Sequence, residues 1–319
     1  MKTNFLFILS FLILMSSCKS SEKNKIDEKM MLKAVKFLAS DSLEGRGFSK
    51  PGNYEAAKFI DNKFNELGLE PFLGGSFTQQ FKYQFSGKKR QRMFPLKDSI
   101  ANLSNTGDTL VIGGNVIGKI SGKIKKTIVI TGHLDHLGIK NGKIYNGADD
   151  DASGTAALFA IAKYFKQHSP KHTLVFAAVD AEEIGSLGAD YFLKNYPNKE
   201  NIVLNINMDM IANNNKQQLY ASGLFHYPQL KQPLENITSP ITLLFGHDNP
   251  DDKNLDDWTF SSDHRIFHKE KIPFIYFGVE DHKDYHKPTD TFENMNQEFY
   301  VDAVKLIVQA IENYDSYLN

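Results

Sequence analysis

The sequence contains one cysteine and one tryptophan among its 319 residues, and neither sign of charge is in excess. A single cysteine excludes an internal disulfide bond, so packing, with or without a bound metal, must hold the fold together. Because 37 Lys and Arg residues stand against 38 Asp and Glu residues, the formal net charge is -1. Without a basic excess to neutralise phosphates, the composition predicts no nucleic-acid partner.

Long apolar runs are also scarce, and the clearest one lies at the N-terminus. Met1-Lys2 precedes an apolar run from Phe5 to Met15, which is followed by Ser16-Ser17-Cys18. A basic start, an apolar middle and small residues before a cleavage point are typical of a secretory signal peptide, and the run is short for a membrane span. The position of Cys18 resembles a bacterial lipoprotein signal, which implies lipidation of Cys18 and a periplasmic or outer-membrane location. The alternative is a plain signal peptide with an incidental cysteine.

The remainder of the chain has no internal repeat and no long low-complexity linker. We therefore expect residues 1–18 to form the signal peptide, residues 19–26 a tether, and residues 27–319 a single domain. Apolar residues recur at helical spacing over residues 27–38 and again over residues 54–67, which predicts an N-terminal helical segment. Residues from about Lys82 to Asp108 show no clear period.

Beyond residue 115, short runs of β-branched and other apolar residues alternate with helical patterns. The predicted strands are Thr127–Thr131, Leu174–Val179, Ile202–Met208 and Pro273–Val279, and the predicted helices are Gly154–Phe165, Ala189–Leu193 and Val301–Tyr314. Nearly continuous apolar strands that alternate with helices indicate an α/β fold with a mostly parallel, mixed central sheet flanked by helices.

Acidic and histidine residues follow each of these strands. The four strands run, in order, into Gly132-His133-Leu134-Asp135-His136, Asp180-Ala181-Glu182-Glu183, Asp209 and Asp284-Tyr285-His286. In an open parallel sheet the carboxyl ends of the strands share one edge, where ligand sites are built. We expect these side chains to meet at that edge.

The stretch NGADDDASG, residues 146–154, places three carboxylates in a row without a Lys or Arg among them. Because it opens the helix beside the same edge, the missing counter-charge is predicted to be one metal ion or two. Imidazole and carboxylate side chains are ligands that suit zinc.

Five ordered strings, TGHLDHLG, NGADDDASG, DAEEIGSLGADYF, NMDMI and DYHKPTDT, resemble the M28 zinc peptidases, the aminopeptidase Y-like family. Upstream, LASDSLEGRG and AAKFIDNKFNELGLEP resemble the N-terminal helical segment of bacterial members. The resemblance covers most of the chain outside residues 82–108. It implies a zinc-dependent exopeptidase-like fold.

Carried over position by position, the resemblance implies two Zn²⁺ ions per chain held by His133, Asp150, Glu183, Asp209 and His286. Asp150 would bridge the ions, His133 and Asp209 would complete one, and Glu183 and His286 would complete the other. Glu182 would be the general base, and Asp135 would orient the imidazole of His133. In relatives the peptide bond after the bridging aspartate is often cis, which here is the bond from Asp150 to Asp151.

Four further residues are candidates for substrate contact or for support of the site. His136 and Asp151 adjoin the ligand motifs, and Asp263 and His264 belong to Ser262-Asp263-His264, which matches a family segment near the active site. A structural role for this segment, with Ser262 capping a helix, is the alternative.

The implied function is hydrolysis of the N-terminal residue of peptides that carry a free N-terminus, by a water that bridges the two metals. Glutaminyl cyclase, which uses one zinc on the same fold, is an alternative, as are other exopeptidases or amidohydrolases. A peptidase fold that has become a binding module is a further alternative, but such a protein would usually have lost a ligand or the base, and none is replaced here.

Overall fold

The computed structural model describes residues 26–72, 74–85 and 109–319. The predicted signal peptide, Cys18 and residues 19–25 of the tether lie outside the described residues, as do residues 86–108. Ile26, the last predicted tether residue, is buried in the core. Within the described ranges, no helix has the length and apolar character that crossing a bilayer requires.

The described chain alternates helices and strands much as its pattern predicts. Its α-helices are α1 (Glu28–Leu38), α2 (Pro51–Glu66), α3 (Gly154–Gln167), α4 (Leu187–Lys194), α5 (His264–Lys269) and α6 (Gln297–Tyr317). Its strands are β1 (Glu70–Pro71), β2 (Thr78–Phe85), β3 (Thr109–Ile120), β4 (Ile124–His133), β5 (Gly138–Lys140), β6 (Lys143–Tyr145), β7 (His172–Val179), β8 (Ile202–Met208), β9 (Gln218–Ser222), β10 (Thr242–Phe245) and β11 (Phe274–Gly278).

One large mixed sheet organises these elements, in the order β1-β3-β7-β4-β8-β11-β9-β10, with β2 paired to β3. The central strands β7, β4, β8 and β11 are mutually parallel. Antiparallel pairs flank them, β3 with β7 on one side and β9 with β11 on the other. The predicted mixed, mostly parallel sheet is confirmed, and its parallel centre brings four carboxyl ends to one edge.

The central strands are apolar on both faces because both faces are covered. Along β4, Ile128 and Ile130 pack into the larger core with α1, α3 and α6, whereas Val129 faces the smaller core with α4 and α5. Since side chains alternate across a strand, a strand covered on both sides must be apolar throughout. This explains why the sequence marks these strands clearly.

The strands β2, β3, β9 and β10 are not predicted by the sequence pattern. In β3, Gly113, Gly114 and Asn115 interrupt the apolar run, and the backbone is held instead by pairing with β2 over eight residue positions and with β7. A Cβ on Gly113 would collide with the rings of Phe81 and Phe48, so close ring packing requires glycine there.

Candidate metal centre

The carboxyl edge of the parallel strands brings the predicted ligands together. His133 ends β4, Glu182 and Glu183 follow β7, Asp209 follows β8, and His286 lies beyond β11. Gly132 lets the end of β4 approach the start of α3, since a Cβ there would lie 2.8 Å from the Gly154 carbonyl carbon. The loop that carries Asp150 therefore lies directly against the strand that carries His133.

The first ligand set consists of His133, Asp150 and Asp209, whose ligand atoms all lie within 4.8 Å of one another. His133 Nε2 is 3.0 Å from Asp150 Oδ1 and 3.5 Å from Asp209 Oδ1. His133 Nδ1 lies 3.0 Å from the Asp135 carbonyl oxygen and donates to it, which leaves Nε2 free to face the carboxylates. This set agrees with the ligands predicted for one ion.

The second set lies on the other side of Asp150. His136, Asp150 and Glu183 offer ligand atoms within 4.8 Å of one another. His286 also reaches the site, because its Nε2 is 3.1 Å from Asp150 Oδ2 and 3.6 Å from Glu183 Oε1. The predicted Glu183 and His286 are therefore near each other, and His136, for which the sequence predicts only a supporting or substrate-facing role, is a further candidate ligand.

Several buried atoms of the two sets have no hydrogen-bond partner in the described chain. They are both ring nitrogens of His136, Oε1 of Glu183 and Oδ1 of Asp209. Although His136 Nδ1 lies 2.7 Å from Glu183 Oε1, the contact lacks hydrogen-bond geometry. Buried polar atoms normally have a partner, so these atoms are suited to act as ligands of a metal ion. Imidazole and carboxylate donors in this arrangement fit zinc.

The neighbouring histidines favour the ionised form of two carboxylates of the ligand sets, Asp150 and Glu183. Burial raises the pKa of Asp150, but the hydrogen bonds and charges of His136, His133 and His286 outweigh it and lower that pKa well below its usual range. Burial and the Asp150 carboxylate likewise raise the pKa of Glu183, but His136 and His286 bring it down to about 2. Burial opposes protonation of His136 and His286, but the carboxylates of Asp150 and Glu183 raise their pKa values to about 9 and about 10, so a metal ion that binds here would displace protons from these imidazoles.

The three consecutive aspartates point to three different partners. Asp149 accepts hydrogen bonds from the Ala212 N–H at 2.6 Å and pairs with His282 at 2.9 Å. Asp151 accepts from the N–H groups of His133 at 2.9 Å and Gly154 at 2.8 Å, so it caps α3 and supports the ligand strand. Asp150 alone of the three faces both ligand sets, and the peptide bond that follows it is cis, as the resemblance implies.

Asp135 supports the site in a different way from the one predicted. The main-chain oxygen of Asp135 is the atom that His133 Nδ1 contacts at 3.0 Å, and the carboxylate lies farther away, at 3.6 Å. That carboxylate accepts from the N–H groups of Glu182 at 3.0 Å and Glu183 at 3.3 Å. Asp135 therefore fixes the turn that carries the predicted base and a ligand.

Glu182 stands beside the ligands without joining either set. Its Oε1 accepts a hydrogen bond from the Ser186 hydroxyl at 3.4 Å. Burial, together with the carboxylates of Asp263, Asp209 and Glu183, raises its pKa well above the usual value against the opposing effect of His133. With Asp150, Glu183, Asp209 and others, Glu182 lines a pocket of about 260 Å³. A carboxyl group that readily holds a proton thus faces the space between the ligands.

Asp263 and His264 are fully buried and are not among the residues that line this pocket. Burial and the carboxylate of Asp135 raise the pKa of Asp263 to about 7, against the opposing effect of His133. Burial lowers the pKa of His264 to about 3, so it is neutral and its Nε2 donates to the Trp258 carbonyl oxygen at 2.8 Å. Ser262 accepts from Asn207 at 2.9 Å and does not cap α5. The contact of His264 with the Trp258 carbonyl oxygen holds neighbouring segments of the chain together.

Arg46 is a residue whose role the sequence does not predict. Its guanidinium is fully buried and donates to the carbonyl oxygens of Leu38 and Asn146 at 2.6 Å and of Leu134 and Gly147 at 2.9 Å. The carbonyls of Leu134, Asn146 and Gly147 belong to the segments that adjoin His133 and Asp150, whereas that of Leu38 lies at the end of α1. Its only sequence signal is its place in LEGRG, within the predicted turn-rich segment.

The fold and this ligand set define an α/β protein with a candidate metal site at the carboxyl edge of its sheet. The model of peptidase family M28 matches residues 115–311, more than half of the chain, so the chain belongs to this family. The resemblance inferred from the five strings is thereby confirmed.

Curated relatives share parts of the sequence. A probable zinc metalloprotease of Pyrenophora tritici-repentis is 29% identical over 140 residues, which are 41% of this chain and 31% of the relative. Aminopeptidase YwaD of Bacillus subtilis is 26% identical over 200 residues, which are 58% of this chain and 40% of the relative. The matched region thus spans less than half of the length of these relatives.

Solved structures share the fold at low identity. An aminopeptidase from Aneurinibacillus sp. strain AM-1 superposes with a TM-score of 0.69 at 14% identity, covering 91% of this chain and 94% of the other. A glutaminyl cyclase from Fimbriiglobus ruber superposes with a TM-score of 0.68 at 16% identity, covering 90% and 95%. The fold class is confirmed, and the fold by itself does not separate these two activities.

Proposed function

We propose that the protein is a two-zinc aminopeptidase that removes the N-terminal residue of peptides. The observation that carries the proposal is the position of Asp150, whose Oδ1 faces His133 and whose Oδ2 faces His286 and the second ligand set. One carboxylate between two ligand sets would hold a pair of metal ions. The sequence similarity to an aminopeptidase supports the same reading.

The zinc ions would supply Lewis acidity towards a water molecule and the scissile carbonyl group. The protein residues do the remaining work. Glu182 accepts the proton of the attacking water at its carboxylate and passes it to the leaving amine nitrogen. Asp135 holds the Glu182 backbone in place, and His133 is kept in one tautomer by the Asp135 carbonyl oxygen. The carboxylates around the site bind the free α-amine of the substrate, which selects chain ends.

Removal of metal should abolish turnover. We expect the purified protein to bind about two zinc ions per chain and to hydrolyse aminoacyl nitroanilides or dipeptides. Dialysis against a chelator should remove this activity, and added zinc should restore it, because the proposed reaction depends on the Lewis acidity of the metal. Activity and metal content are measured on the same samples. Hydrolysis that survives complete removal of metal would contradict the proposal.

The same assay distinguishes the cyclase alternative. A peptide with N-terminal glutamine is included in the panel. An aminopeptidase should hydrolyse this peptide and bind about two zinc ions per chain. If the protein instead cyclises the peptide and binds about one zinc ion per chain, it is a cyclase and the aminopeptidase proposal is wrong.

We also propose that Cys18 carries a lipid and anchors the protein in the cell envelope. The support is the sequence itself, with Cys18 directly after a short apolar run that follows Met1-Lys2. A lipid attached to Cys18 would itself bind the membrane, so the folded domain would not need a membrane-binding surface. Cys18→Ser should move the protein from the membrane to the soluble fraction of bacteria that express it, as seen by fractionation. Unchanged membrane association of Cys18→Ser would refute the anchor.

A further inference from the structure

Arg265 is a cation of fixed charge within a pocket that is otherwise acidic. Among the described residues that line the pocket, four are carboxylates (Asp150, Glu182, Glu183 and Asp209), and Arg265 is the only Lys or Arg. Arg265 lies in the first turn of α5, and its side chain keeps 21% of its exposure. It belongs to neither ligand set.

The hydrogen-bonding capacity of Arg265 is largely unused by the described residues. Its Nη1 reaches the Phe260 carbonyl oxygen at 3.4 Å, which is a long hydrogen bond. Its Nη2 is 3.9 Å from Glu182 Oε1, which is too far for a direct hydrogen bond. A guanidinium group has five N–H donors in a planar fork. Most of them therefore remain available towards the pocket.

The approach to this guanidinium is open. Gly185 lies opposite it, and a Cβ at this position would be 4.0 Å from Arg265 Nη2. Because glycine has no side chain, a ligand can reach the guanidinium from the pocket. Ser261, which is exposed and lines the same pocket, offers a hydroxyl group as a second donor.

We propose that Arg265 binds a carboxylate group of the substrate, so that the protein prefers substrates with an acidic group close to the scissile bond. This inference rests on the proposed peptidase function. The pocket of about 260 Å³ matches one or two amino-acid residues, so a bound carboxylate lies near the reacting bond. Arginine is suited to this role because its planar fork binds a carboxylate with two parallel hydrogen bonds.

The carboxylate has two sources in a short peptide. It is either the acidic side chain of an N-terminal Asp or Glu, or the C-terminal carboxylate of a dipeptide. Both present the same chemistry to Arg265. A third role for Arg265, as a counter-charge to Glu182 alone, makes a different prediction, because it would affect all substrates alike.

The test compares matched substrates with the zinc-loaded wild type and Arg265→Gln. One arm uses the nitroanilides of Glu and Gln, and the other uses a neutral dipeptide with a free or an amidated C-terminus. In at least one pair we expect the wild type to have the higher kcat/KM for the substrate that carries the carboxylate. Arg265→Gln should reduce this preference about 10- to 100-fold, which is the effect of a hydrogen bond to a charged group. The pair of substrates whose preference falls in Arg265→Gln identifies which carboxylate Arg265 binds.

Two further variants act as controls. Lys269→Gln removes a positive charge from the same helix at an exposed residue that does not line this pocket, so the preference should not change. Arg265→Lys keeps the charge but not the fork, and an intermediate preference is expected. The inference is wrong if Arg265→Gln lowers kcat/KM equally on every substrate. It is also wrong if neither substrate pair shows a preference that depends on Arg265.

Failure of the proposed function gives a different result. If wild type hydrolyses none of the peptides, calorimetric titration with the same pairs still tests Arg265, because binding needs no turnover. Tighter binding of the carboxylate member by wild type, lost in Arg265→Gln, supports the inference without peptidase activity. Equal binding of both members refutes it.

Discussion

Glu182→Gln is expected to lower kcat by about 10²- to 10⁴-fold, the contribution of a positioned general base, while the zinc content stays that of the wild type. Glutamine has nearly the same shape as glutamate but cannot accept the proton of water. Glu182 belongs to neither ligand set, so its replacement removes no metal ligand. Its contact with the Ser186 hydroxyl can be kept by the amide oxygen.

The neighbouring residue supplies the matched control for this prediction. Glu183→Gln changes the same chemical group one position along the chain, but Glu183 is part of the second ligand set, with Oε1 2.7 Å from His136 Nδ1. It should therefore lose zinc as well as activity. Metal analysis and kcat are measured together for both variants. A fully active Glu182→Gln would show that another group is the base, and loss of zinc in that variant would make Glu182 a ligand.

Arg46→Met is expected to lower the free energy of unfolding by more than about 3 kcal/mol, because each buried carbonyl left without a partner costs about 1–3 kcal/mol. Four carbonyls accept from this guanidinium, those of Leu38, Leu134, Asn146 and Gly147. Gly147 has φ +57°, and a Cβ there would collide with the His136 ring, so the loop has little room to rearrange. Zinc affinity should fall as well.

Urea unfolding of metal-free and zinc-loaded protein separates the two effects, since bound metal adds its own stabilisation. Lys58→Met is the control, because it removes a cation whose side chain is 70% exposed. Arg46→Lys should be intermediate, since one ammonium group cannot reach all four carbonyls. An Arg46→Met variant that unfolds at the wild-type urea concentration and keeps its zinc would contradict this role for Arg46.

The extent to which the sequence predicts the fold differs between strands for a physical reason. The strands β4, β7, β8 and β11 are covered on both faces and read as apolar runs, and β8 has the bounds that the pattern predicts. β3 contains two adjacent glycines and pairs with antiparallel strands. Because its pairing depends on backbone contacts, its sequence shows no continuous apolar run.

The same distinction applies to the site. The motifs identify His133, Asp150, Glu183, Asp209 and His286, and the fold gathers them at one edge. The motifs do not indicate that His136 stands 2.7 Å from Glu183, nor that Asp149 pairs with His282 133 positions away. Such contacts depend on how distant segments meet, which local patterns do not encode.

The sequence by itself determined the family, the α/β class and the identity of the ligand and base candidates, because buried strands and ordered motifs are visible as local patterns in the sequence. Only the tertiary structure decided which oxygen of Asp150 faces which ligand set, that Asp135 holds the Glu182–Glu183 turn, and that Arg46 joins the two ligand loops. Those relations join residues that are far apart in the chain, and their geometry is fixed by packing rather than by neighbours in sequence.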